Sequence, residues 1–100
     1  MSDAEADVTL DETTAVRQSD RTASRVVEGQ AVVIVIDRQK LHTLNEVGTT
    51  IWELADGRTL GEIADGIVEE FEVDRDTALA DARKFVEQLA RLGALELTRS

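Results

Sequence analysis

The sequence contains no cysteine, a single histidine and few aromatic residues, and it has no long hydrophobic run. Without cysteine the chain has no disulfide framework, no thiolate metal site and no cysteine nucleophile. His42 alone cannot form a usual zinc site or a persuasive catalytic triad. No apolar run approaches the roughly 20 residues that span a bilayer. We therefore expect a protein that is not an enzyme, holds no metal or cofactor and has no membrane partner.

Basic residues are also scarce, because 11 lysines and arginines stand against 21 acidic residues and give a formal net charge of −10. A sequence-independent nucleic-acid binder neutralises phosphates with lysine and arginine, so an acidic chain of this kind would repel a polyanion. We expect no nucleic-acid partner. The lack of disulfides, together with an acidic N-terminus that is unlike a signal peptide, predicts a cytoplasmic protein.

One hundred residues correspond to a single domain. Residues 1–20 are polar and acidic, which is typical of a flexible N-terminal arm. The folded body is predicted over residues 21–97, and residues 98–100 are predicted to be a tail.

β-Branched residues crowd the stretch after the arm, which includes the unbroken apolar run AVVIVI at residues 31–36. Turn-like residues lie on both sides of that run. The pattern predicts an antiparallel meander with its most apolar strand in the centre. Its three strands are predicted over residues 23–27, 31–36 and 40–44.

Helical spacing of apolar residues begins after Asn45, which is a favourable N-cap residue. Thr59 and Glu62 match a capping box, Asp74 is a further N-cap, and Gly93 lies at an expected C-terminal stop. Three helices are predicted over residues 46–55, 60–71 and 75–92. The fold is therefore predicted to be α+β and winged-helix-like, with a three-stranded antiparallel sheet followed by three helices.

The stretch LNEVGTTIWELADGRTLGEIADGIVEEF, which starts at Leu44, resembles the PqqD-like family. The matching signature is LN-x-x-G-x-x-IW-x-L-x-DG. The downstream segment DARKFVEQLARLGAL and the upstream segment VVEGQAVVIVID are similar to the ending and the strand pair of that family. The resemblance covers about residues 16–97.

This resemblance implies a RiPP recognition element, a domain that binds the leader segment of a ribosomally synthesised precursor peptide. Such a domain presents the peptide to a maturation enzyme, such as a radical-SAM enzyme or a leader protease or cyclase. In the family, the leader adds as a strand to the third strand and packs against the third helix. The matching positions here are Lys40, Leu41, His42, Thr43, Leu44, Ala78, Ala82, Arg83, Phe85, Val86 and Leu89.

Near the start of the matched stretch, Gly48 and Trp52 are predicted to have roles in packing the fold. A small residue at Gly48 permits close backbone approach, and Trp52 at helical spacing is expected in the core. Two other functions remain open from the sequence. One is DNA binding by a winged-helix domain, and the other is a permanent adaptor subunit of a larger enzyme.

Overall fold

Three helices form most of the second half of the domain in the computed structural model, which describes residues 10–98. They are α1 (Glu46–Leu54), α2 (Leu60–Phe71) and α3 (Arg75–Arg91). The predicted helices are confirmed to within one residue at either end.

Local capping explains where the helices begin. Asn45 Oδ1 accepts a hydrogen bond of 2.7 Å at the start of α1. Thr59 and Glu62 form the reciprocal capping box of α2, with bonds of 3.2 and 2.9 Å. Asp74 Oδ1 accepts from the backbone at the start of α3 at 2.8 Å. Past the end of α3, Gly93 adopts a φ of +83°, which L-residues with side chains rarely adopt.

The predicted meander forms three strands, β2 (Thr22–Val27), β3 (Gln30–Val35) and β4 (Lys40–Thr43). They make an antiparallel sheet in the order β2-β3-β4. The central strand β3 buries Ala31, Val33 and Val35 on the face toward the helices, while Ile34 on the other face is exposed. A short 3₁₀ helix, Ile36–Arg38, occupies the predicted turn before β4.

A second antiparallel sheet, which was not predicted, contains β1 (Ala15–Gln18), β5 (Asp56–Thr59) and β6 (Leu95–Thr98). Its order is β5-β1-β6, so the N-terminal strand lies between two strands from distant parts of the chain. Strand β6 includes Thr98, which was predicted to belong to the C-terminal tail.

The predicted boundary near residue 20, between the N-terminal arm and the folded body, is placed too late in the sequence, because residues before it already belong to the fold. Leu10 and Val16 are in the core, and β1 is the central strand of its sheet. Arg75 at the start of α3 also donates to Glu12 and to Asp65, each at 2.8 Å, and these bonds raise the pKa of its guanidinium. Scattered apolar residues in a polar stretch therefore mark a strand here. The rest of the predicted arm, residues 1–9, lies outside the described residues.

The core lies between the helices and the inner faces of the two sheets. Trp52 of α1 is 2% exposed, which confirms its predicted place in the core, and its Nε1 donates to Ser24 Oγ of β2 at 3.1 Å. The largest fully buried aliphatic side chains are those of Val16, Val33, Ile51, Leu60, Ile63, Ile67 and Val86. The predicted α+β, winged-helix-like architecture is confirmed.

Candidate functional site

Strand β4 is an edge of its sheet, because β3 is its only neighbour among the strands of residues 10–98. The Leu44 N–H donates to the Ala31 carbonyl at 2.8 Å, so these two residues face each other as a hydrogen-bonded pair. Hydrogen-bonded and non-hydrogen-bonded pairs alternate along an antiparallel ladder. The backbone N–H and C=O groups of Leu41 and Thr43, at odd spacing from Leu44, therefore point away from β3. They form an open edge to which an extended peptide can bind.

Side chains of β4 alternate between two environments. His42 lies opposite the buried Val33 and shares its face, which is directed toward the helices. Leu44 lies on the same face and is 5% exposed. Leu41 points to the opposite face and is 60% exposed. Alternate side chains of a peptide added along β4 would therefore lie on the helix-facing side of the sheet, beside His42 and Leu44.

A groove of about 580 Å³ separates β4 from the C-terminal half of α3. The half-buried Phe85 provides apolar surface from the helix, and Gln88 adds an amide. Leu89 also borders the groove, although it is 3% exposed and belongs to the core. The groove runs alongside the open backbone edge and combines apolar surface with a few polar groups, as binding sites for small ligands and peptides do. Its lining residues are His42, Thr43, Leu44, Asn45, Phe85, Gln88, Leu89, Arg91 and Leu92.

His42 contributes a polar atom without a partner. Its side chain lines the groove, and its Nε2 is buried and has no hydrogen-bond partner in the described part of the chain. Leaving a buried polar group unpaired costs about 1–3 kcal/mol. A ligand that allowed the imidazole to turn and bond would recover part of this free energy.

The strand part of the predicted site is brought together at this edge. Lys40, Leu41, His42 and Thr43 form β4, and Leu44 follows directly. From the helix, Phe85 and Leu89 line the groove as well. Five predicted residues, His42, Thr43, Leu44, Phe85 and Leu89, therefore line the groove. Lys40 and Leu41 belong to the same edge strand but do not line the groove, and the Leu41 side chain points to the opposite face.

Four predicted helix residues lie elsewhere. Ala78, Ala82 and Val86 have no exposed surface and belong to the core, so they do not line the groove. Small residues in α3 permit close packing of the helices instead of leaving space for a guest side chain. Arg83 lines a separate depression with Leu79 on another side of α3.

The sequence prediction missed three residues of the groove, Asn45, Gln88 and Leu92. Asn45 was predicted only as a cap, although it also borders the groove. Gln88 and Leu92 follow Phe85 by three and seven residues, so helical spacing places them on the same face. That spacing is a signal from which both residues could have been found.

Other kinds of site are not seen in the described range. Residues 10–98 contain no group of three or more His, Asp or Glu side chains placed to hold a metal ion. No helix within that range is both long enough and apolar enough to cross a membrane.

Comparison with known proteins gives one family and two similar structures. Residues 30–95 match the family described as "Coenzyme PQQ synthesis protein D (PqqD)". The protein in the structure "TbiB1 in Complex with the TbiA(beta) Leader Peptide" is 33% identical in sequence to this chain, and the two folds superpose with a TM-score of 0.75. The match covers 80% of this chain and 94% of that chain.

"Lasso peptide synthetase B1 complexed with the leader peptide" shares the fold at 22% identity, with a TM-score of 0.71. That similarity covers 82% of this chain and 98% of the other. No curated protein matches the chain.

Proposed function

This chain belongs to the PqqD family, and we propose that it is a peptide chaperone for the leader segment of a ribosomally synthesised precursor peptide. The leader adds as a strand to β4 and packs its side chains against α3. The observation that carries this proposal is the open backbone edge at Leu41 and Thr43, which directly borders the groove.

The two parts of the site have different roles. Backbone hydrogen bonds to Leu41 and Thr43 give affinity for any extended segment. The groove gives selectivity, because alternate side chains of the added strand point toward Phe85 and Leu89. Similarity to TbiB1, which was solved in complex with a leader peptide, supports the choice of a leader as the ligand.

We further propose that the protein performs no chemistry itself and presents the leader to a maturation enzyme. The enzyme classes expected from the family resemblance are a radical-SAM enzyme and a leader protease or cyclase. Delivery of this kind requires that the leader be held while the rest of the precursor stays free. A strand at the edge of the sheet meets this requirement, because both of its ends remain outside the fold.

DNA binding is disfavoured by the acidity of the whole chain and by carboxylates that lie among the basic residues of α3, the helix that a winged-helix protein would place in a groove of DNA. Its exposed residues include Asp76, Asp81 and Glu87. These carboxylates would lie close to phosphates in a chain whose net charge is already −10.

An amide NMR titration tests the proposal. The uniformly ¹⁵N-labelled protein is titrated with a synthetic peptide that covers the leader half of the precursor encoded beside its gene. We expect shifts concentrated in β4 and on the face of α3 that contains Phe85 and Leu89. Saturation is expected at micromolar peptide or below, roughly −8 kcal/mol of binding free energy.

A scrambled leader of the same composition and a short DNA duplex at low salt are the controls. Amides of β4 that stay still under excess leader would refute leader binding. Tight co-purification with one enzyme in the absence of any precursor would then favour the adaptor function.

A further inference from the structure

We propose that the leader segment bound in the groove carries an acidic side chain, which pairs with three cations at one end of the groove. The cations are Arg38, Lys40 and Arg91, and this surface is called the cationic end below. The inference rests on the proposed function and specifies the chemical class of the ligand.

The residues that carry the three cations lie around the C-terminal end of α3. Arg91 occupies the last turn of the helix and lines the groove. Arg38 Nε lies 3.8 Å from the position of a Cβ built on Gly93, which follows the helix. Lys40 is paired with Val35, whose Cγ1 lies 3.9 Å from that same position. One end of β4 and one end of α3 therefore bring these side chains to the same end of the groove.

Each of these cations lacks an acidic partner within residues 10–98, whereas four other arginines of that range are paired. Arg21 pairs with Asp37 at 3.1 Å, and Arg75 pairs with Glu12 and Asp65 at 2.8 Å. Two further arginines are also paired, Arg17 with Glu96 and Arg58 with Asp56. Arg25 and Arg83 also form no ion pair within that range, so the cationic end is distinguished by its position beside the groove, which Arg91 lines.

The absence of acid from the groove lining is notable in a chain with 21 acidic residues. Among the lining residues, Arg91 is the one with a permanent charge, and no carboxylate lines the groove. Asp37, the acidic residue next to Arg38, is engaged by Arg21. A carboxylate of the peptide would therefore meet unopposed positive charge at this end and net negative charge over most other surfaces.

Part of the positive charge at Arg91 is offset by the C-terminus of α3, whose dipole is equivalent to about half a negative charge. Three cations exceed this offset several-fold. The remaining field attracts an acidic side chain, and salt screens it because all three cations are exposed.

The test uses the full chain and the synthetic leader described above, and it measures affinity by isothermal titration calorimetry. Arg91→Gln removes the charge, and Arg91→Lys retains it. Arg83→Gln is the matched control, because it removes the same charge from α3 outside the groove. In the peptide, each Asp or Glu is replaced singly by Asn or Gln. Circular dichroism melting shows whether each variant is folded.

We expect Arg91→Gln to weaken binding roughly three- to tenfold at low salt, with less effect at high salt. Arg91→Lys and Arg83→Gln should change it by less than about twofold. One peptide substitution should reproduce or exceed this loss, and it should cost less in the Arg91→Gln protein than in the wild type, because only Arg38 and Lys40 remain to pair with the carboxylate.

Leader binding that is insensitive to Arg91→Gln and to every neutralised peptide carboxylate would overturn this inference and leave the proposed function in place. A leader that binds but contains no acidic residue in its bound segment would overturn it as well. A leader that does not bind at all would overturn the proposed function.

Discussion

The ring of Phe85 lies directly over Gly48, so that a Cβ built on Gly48 would come 2.5 Å from Cε2 of the ring. This contact joins the first turn of α1 to the groove-lining face of α3. The sequence predicted that a small residue at Gly48 permits close backbone approach, and the group that lies close to it is instead a side-chain ring. The same ring forms part of the groove, so packing in the scaffold and the shape of the site are linked.

Gly48→Ala should destabilise the protein. Overpacking costs about 1–3 kcal/mol, which exceeds the gain of about 0.5–1 kcal/mol that alanine gives over glycine in a helix. Urea unfolding followed by circular dichroism measures the change. In a Phe85→Leu background the clash is removed, and Gly48→Ala should become neutral or stabilising. Stabilisation by Gly48→Ala in both backgrounds would show that the ring yields without cost.

Thr43→Pro should abolish leader binding while leaving the fold nearly intact. The Thr43 N–H points away from β3, so proline removes a donor to the added strand and no bond of the existing ladder. His42→Pro is the contrasting variant, because the His42 N–H points into the ladder. We expect a large drop in melting temperature for His42→Pro only. A Thr43→Pro protein that binds the leader normally would contradict strand addition at β4.

Ser24→Ala should cost about 1 kcal/mol of unfolding free energy, because it leaves the Nε1 donor of the buried Trp52 without its protein partner. In a Trp52→Phe background that donor is absent, and Ser24→Ala should have little effect. Denaturant unfolding of the four proteins gives the coupling energy. Equal effects of Ser24→Ala in both backgrounds would mean that the hydrogen bond adds nothing.

Asp74 should make the stability of the domain fall as the pH is lowered into the acidic range. Its carboxylate accepts from the Thr77 N–H at 2.8 Å, and this bond lowers its pKa below the usual 3.8. A carboxyl with a lowered pKa stabilises the fold above its unfolded-state pKa and loses this effect as the pH falls through its folded-state pKa.

The comparison for Asp74 is with Asp74→Asn, which keeps a side-chain cap but has no charge. The melting temperature of the wild type should exceed that of Asp74→Asn at neutral pH, and the gap should close below about pH 4. Asp81→Asn, an equal charge change in the middle of α3, should show no such gap. A gap that stayed constant down to the lowest pH would mean that the charge of Asp74 does not contribute.

Local signals explain which elements could be predicted. Asn45, Thr59 and Asp74 each cap the helix that follows them directly in the sequence, so the helix starts can be read locally. The meander is likewise marked by an apolar run between turns. The second sheet has no such marker. Its strand Asp56–Thr59 has the composition of a turn, and β1 pairs with β6 across most of the chain. Long-range pairing of short strands decided this part of the fold.

The candidate site also contains residues that could be predicted from the sequence and residues that could not. Local pattern predicts the strand at residues 40–44 and the apolar stripe that contains Phe85 and Leu89, and the family resemblance implies that they bind a peptide. Ala78 and Ala82 could belong to a groove or to a close helix contact, and only the packed structure shows that they are buried. The unpaired Nε2 of His42 and the position of Arg91 at the groove depend on how β4 and α3 are juxtaposed, which is not encoded in either segment alone.

Hydrogen exchange of individual amides, measured by NMR with and without the leader, tests strand addition most directly. We predict that the amides of Leu41 and Thr43 gain protection when the leader is bound, whereas those of His42 and Leu44 are already protected and change little. Protection gained at Ser24 and Val26 instead would place the peptide on the opposite edge, β2. Unchanged exchange along β4 at saturating leader would contradict the account.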